Sequence, residues 1–167
     1  MTADRLPSRL WSRTFILLAA VLAVSGLAQM PIFKRYYVAD LPGLGWLADF
    51  WLTHKLHYVA AALLLAWLGA ALTRWFGVWR GRFRVTALGW ARVALVFGIV
   101  ATGAVRMFKN QPGVAFDPFT TMLVDWAHLG LVVLLGLVAL AAAISGRSAY
   151  LRRSGRGPSH INPGGNT

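Results

Sequence analysis

Four apolar runs, residues 14–30, 52–73, 85–105 and 121–144, constrain this chain more than any other feature. At 17 to 24 residues, each lies within the range of about 17–25 that crosses a hydrocarbon core of about 30 Å as a helix. Backbone N–H and C=O groups find no water there, so a run that crosses must satisfy them within itself, as a helix does. With 57% hydrophobic and 13% charged residues, the chain is too apolar for a soluble domain of 167 residues. The expected fold is an all-α membrane protein, an up-down bundle of four transmembrane helices over residues 14–145. A basic lead, residues 1–13, precedes it, and a basic, disordered tail, residues 146–167, follows. The first run ends in Gln29-Met30-Pro31 without a small-x-small pattern, so it reads as a span and not as a cleaved signal.

The net charge of +12 would suit nucleic acid, but its distribution suits a membrane. Arg5, Arg9 and Arg13 precede the first span, Arg74, Arg80, Arg82 and Arg84 lie between the second and third, and Arg147, Arg152, Arg153 and Arg156 follow the fourth. The opposite ends carry Lys34, Arg35, Lys55, Arg106 and Lys109, interspersed with Asp40, Asp49, Asp117 and Asp125. The positive-inside rule then places both termini in the cytoplasm and residues 36–50 and 111–119 outside. Nucleic acid is not an expected partner; membrane lipid is. The outer loop from Ile32 to Phe50 reads as an aromatic interfacial belt with a short helix near residues 44–50. Arg92, about two turns inside the third run, either snorkels to the interface, the favoured reading, or stays buried against a partner. The absence of cysteine excludes disulfides, thiolate metal sites, and iron–sulfur or covalent haem attachment by this chain.

The two halves of the chain repeat. Ser25-Gly26, Met30 and Phe33-Lys34 match Thr102-Gly103, Met107 and Phe108-Lys109, and Leu52-x-His54-x-x-His57 matches Leu123-x-Asp125-x-x-His128. Equivalent elements are two spans apart, so the halves have the same orientation, as parallel two-helix repeats about an axis along the membrane normal. The second and fourth helices then each carry a histidine roughly two turns inside. An ionisable group at such a position usually faces protein, has a partner and marks a functional path.

His57 and His128 are therefore the candidate axial ligands of one haem, which needs two strong nitrogens on opposite faces of its ring and small residues nearby. Ala60, Ala61, Ala127 and Gly130 provide the small residues, and Lys55, Arg106 and Lys109 are the candidate partners for the propionates. A zinc site would want three or four ligands, for which His54, His57, Asp125 and His128 are the candidates. A third reading has the histidines bonding only to each other or to backbone. One turn nearer the outer surface, His54 and Asp125 form a candidate quinone or proton site; the plainer reading has His54 on a propionate and Asp125 paired with Lys55 or Arg106. His160 lies in the tail and has no assigned role.

With four spans and histidines 57 and 128 in the second and fourth, the chain resembles the small four-helix membrane cytochrome b subunits of bacterial respiratory oxidoreductases. The resemblance covers roughly residues 14–145. It implies haem b, a quinone, the bacterial inner membrane, and electron transfer between the quinone pool and a partner redox subunit bearing iron–sulfur, haem or another redox centre. Many members of that group hold two haems on four histidines; this chain has no histidine near its cytoplasmic face, so one haem is expected. The chain is read as an electron-transfer subunit more than a complete enzyme. The alternative is a non-haem integral membrane protein with a metal-binding, assembly or transport role.

Overall fold

The computed structural model describes residues 8–30, 40–81, 83–146 and 151–153. The chain is all-α apart from one short strand pair, and four of its helices are long and apolar enough to cross a membrane: α1 (Arg9–Ala28), α2 (Phe50–Arg74), α3 (Ala87–Lys109) and α4 (Pro118–Ile144). It is a multi-pass membrane protein. Each helix begins where a short polar side chain can accept from an orphan N–H of the first turn. Ser8 accepts from Trp11 N, Asp49 from Leu52 N, Thr86 from Gly89 N and Asp117 from Thr120 N, at 3.0–3.3 Å. Pro118 follows Asp117 at the first helical position, where its missing N–H costs nothing. The bonds from Thr120 hold the exposed Asp117 carboxyl below its ordinary value. These caps start three of the helices two to five residues before their apolar runs; α3 starts two residues after its run begins, behind Thr86.

The chain divides into two compact units, Met1–Trp79 and Arg80–Thr167, and each is a helical hairpin. In the first, α1 packs along α2. The packing is antiparallel: Ser25 near the end of α1 meets His57 near the start of α2, while Trp11 near the start of α1 stacks on Trp67 with ring centroids 4.7 Å apart. Phe15 adds a second ring against Trp67 at 5.1 Å, and the Arg74 guanidinium lies 4.4 Å over Trp11. That aromatic cluster closes the hairpin at the end away from the histidines. The short helix expected in the loop is a 3-10 turn, Gly45–Ala48, and the end of α2 widens into a π-turn, Trp75–Trp79.

In the second hairpin, α3 packs along α4. Two features go beyond the helices themselves. Leu151–Arg153, at the start of the tail, forms a strand (β2) antiparallel to Phe83–Val85 (β1), in the register Val85 opposite Leu151. A three-residue strand of this kind owes its order to its distant partner, which a local reading of a polar segment does not contain. Arg92 is buried, with 6% of its surface exposed, as the alternative to snorkelling has it. Residues 154–167, with His160, and residues 31–39, with Lys34 and Arg35, lie outside the described residues.

Large apolar side chains point away from both hairpins, among them Ile16, Phe97, Leu137 and Ile144. Such faces are costly in water and suited to lipid.

Candidate functional site

The repeat is a structural fact at the histidines. In the first hairpin His57 Nδ1 lies 3.0 Å from Ser25 Oγ; in the second, His128 Nδ1 lies 2.9 Å from Thr102 Oγ1. Ser25 and Thr102 are the residues that the sequence repeat sets at equivalent positions. The neighbouring glycines are equivalent too. A Cβ on Gly26 would stand 3.2 Å from His57 Cε1, and one on Gly103 would stand 3.3 Å from His128 Cε1. Each imidazole edge therefore fills the space that a glycine leaves open on the facing helix, and each ring is held by the hydroxyl one residue before that glycine.

The hydrogen-bond pattern fixes the tautomer. Ser25 Oγ is 2.7 Å from Val21 O, and Thr102 Oγ1 is 2.8 Å from Gly98 O. Two acceptors at that distance would repel, so each hydroxyl donates its one hydrogen to its own helix carbonyl. The hydroxyl oxygen then accepts, and the histidine must donate from Nδ1. In both hairpins the neutral imidazole thus carries its proton on Nδ1 and its lone pair on Nε2. An imidazole oriented through the nitrogen opposite its lone pair is the usual preparation for metal ligation, because the anchor fixes the ring and raises the basicity of the other nitrogen. Ser25 is wholly buried, and His57 and His128 are half-buried.

One turn toward the loop the hairpins differ. In the first, His54 Nδ1 is 3.2 Å from Gln29 Oε1, while Gln29 Nε2 donates to Ser25 O at 3.1 Å. In the second, the equivalent positions hold an ion pair: Arg106 Nε to Asp125 Oδ1 at 2.8 Å, joined by Lys109 Nζ to Asp125 Oδ2 at 3.1 Å. The plainer expectation for Asp125, a pairing with Arg106, matches this geometry. Arg106 and Lys109, the candidate propionate partners, share that carboxylate, and two cations on one anion leave the cluster net positive. Lys55, the third candidate, is exposed. Of the small residues expected beside the histidines, Ala60 is buried, whereas Gly130 has no neighbour where its Cβ would be. The close approach comes instead from Gly26 and Gly103 on the facing helices.

Sequence reasoning singled out Ser25-Gly26 and Thr102-Gly103 as marks of the repeat but not as partners of the histidines, and it missed Gln29. The signal was present: a hydroxyl followed by glycine recurs at matching distance from a histidine in each half. Among the described residues, no three of His, Asp and Glu come together as a group that could hold a metal ion. No protein-family model, curated protein or solved structure matches the chain.

Proposed function

We propose that the chain is a membrane-anchored b-type cytochrome subunit that carries electrons between the quinone pool and a partner redox subunit, with His57 and His128 as the axial ligands of one haem b. The observation that carries this reading is the duplicated set of hydroxyl, imidazole and glycine: Ser25–His57–Gly26 and Thr102–His128–Gly103. Two polar constellations of the same geometry inside apolar hairpins cost desolvation and need a use. The same tautomer in both would leave the Nε2 lone pair of each neutral imidazole available to a haem iron. The haem supplies a one-electron couple. The residues of the chain hold and tune it: Ser25 and Thr102 set the tautomer of each ligand, Gly26 and Gly103 admit the ring edges, and Arg106 and Lys109, with Lys55, offer positive charge to the propionates.

The partner redox subunit is what the resemblance to four-helix cytochrome b subunits implies; without cysteine, this chain could not itself bear an iron–sulfur centre. The charge distribution supports an orientation with both termini cytoplasmic, and the resemblance points to the bacterial inner membrane. The absorption spectrum of the purified protein tests the central assignment. Sharp reduced α and β bands are expected, and a protein that incorporates no haem under haem-replete expression overturns the reading. Reporter fusions at Gly77 and at the C-terminus should both report a cytoplasmic location; an external Gly77 would reverse the orientation.

A further inference from the structure

The repeat makes His54 and Asp125 equivalent, yet their bonding is opposite in kind. Both carboxylate oxygens of Asp125 are engaged by cations, Oδ1 by Arg106 and Oδ2 by Lys109. A neutral hydroxyl seeking that carboxylate would compete with two charge-assisted bonds. His54 stands differently. Gln29 is turned by its own donation to Ser25 O, so its Oε1 faces the ring, and only an N–H on Nδ1 makes that contact favourable. In the neutral imidazole the lone pair of His54 then lies on Nε2. The ring lies between two aromatic neighbours, Phe50 stacked at 5.4 Å with planes 17° apart and Tyr58 edge-on at 4.5 Å. Both are well exposed, at 53% and 41%.

We propose that His54, and not Asp125, binds the head group of a hydroquinone, its Nε2 accepting a hydrogen bond from a ring hydroxyl beside the aromatic side chains of Phe50 and Tyr58. The proposal rests on the quinone half of the reading above. A hydroquinone is a flat aromatic ring bearing O–H donors, which match an imidazole acceptor flanked by aromatic side chains. A quinone offers only carbonyl acceptors, which a lone pair on Nε2 cannot engage, so the site favours the reduced form. The three-residue step from His54 to His57 is about 4.5 Å along the helix, which keeps the head group within one turn of the proposed ligand.

Isothermal titration of the full-length protein in lipid nanodiscs, with duroquinol and duroquinone as probes, tests this directly. The wild-type protein should bind duroquinol about tenfold more tightly than duroquinone, the worth of one hydrogen bond of about 1.4 kcal/mol. His54→Leu should lose about that tenfold and the preference with it. Gln29→Leu, which keeps His54 but releases its tautomer, should lose the preference with a smaller loss of affinity, and it decides the matter if His54→Leu does not fold. Asp125→Asn should bind as the wild type does. The proposal is overturned if the wild type does not bind duroquinol, if the His54 and Gln29 variants bind it unchanged, or if Asp125→Asn is the variant that loses it. Haem content of each preparation separates the two claims. Haem present with His54-independent binding sinks this proposal alone, whereas His54-dependent binding in a protein without haem sinks the cytochrome reading alone.

Discussion

The two hairpins share one plan for holding a histidine and differ in almost everything around it. At the shared level Ser25, Gly26 and His57 stand as Thr102, Gly103 and His128 do, with hydroxyl–imidazole distances of 3.0 and 2.9 Å. Below it, the first hairpin packs Trp11, Phe15 and Trp67 together, while the repeat position of Phe15 is taken in the second by buried Arg92. Above it, a neutral pair, Gln29 and His54, faces an ion cluster, Arg106, Lys109 and Asp125. Even the packing beneath the hydroxyl is reversed in size: Val21 and Ala60 stand at the repeat positions of Gly98 and Leu131. The difference teaches that the imidazole anchor is the common element, while each hairpin has solved its own packing and its own charge.

The largest test of that common element is removal of the imidazoles. His57→Ala and His128→Ala should each abolish the six-coordinate spectrum, while His54→Ala should leave it largely intact. A spectrum lost with His54 and kept without His57 would mean that the anchor geometry marks the wrong turn. Next in size is the reversed packing. A Cβ on Gly98 would already stand 3.0 Å from Leu131 Cδ1, so Gly98→Val should destabilise the second hairpin by about 1–3 kcal/mol. Adding Leu131→Ala recreates the residue sizes of the first hairpin and should restore much of that loss in thermal unfolding. A double variant no better than the single would break the equivalence of the two interfaces.

A smaller effect sharpens the contrast in the polar layer. Because the Arg106 and Asp125 side chains are 39% and 37% exposed, their pairing is worth about 0–1 kcal/mol after solvent screening. Asp125→Asn should therefore lower the melting temperature only slightly, and the combined Arg106→Gln, Asp125→His protein, which copies the first hairpin, should retain haem. Loss of haem in that protein would show that the charge is required for cofactor retention. Last comes the hydroxyl anchor, read through the potential. Ser25→Ala and Thr102→Val remove the acceptor of an Nδ1–H bond worth about 1 kcal/mol, so each should raise the haem midpoint potential by an amount on the order of tens of millivolts, at about 59 mV per tenfold. Unequal shifts would show that the two ligands are not equivalent; no shift in either would remove the hydroxyls from the ligand assignment.

What the sequence by itself determined is everything governed by short range and by solvent. Apolar runs fixed four helices, Ser8, Asp49, Thr86 and Asp117 fixed where they begin, and the order of matching residues revealed two hairpins, because hydropathy and capping act within one turn or one span. The position of each histidine near a helix entrance followed from the same count. Tertiary structure alone decided which side chains meet across each hairpin. The rotation of α1 against α2, and of α3 against α4, brings Ser25 and Thr102 to the imidazoles, binds Asp125 to Arg106 and Lys109, and leaves His54 to Gln29. It also decided the burial of Arg92 and the strand at Leu151–Arg153. The physical reason is that a lone residue carries its polarity with it but not its partner. A hydrogen bond at 3 Å depends on the packing of two helix surfaces at once, and no single stretch of sequence contains both.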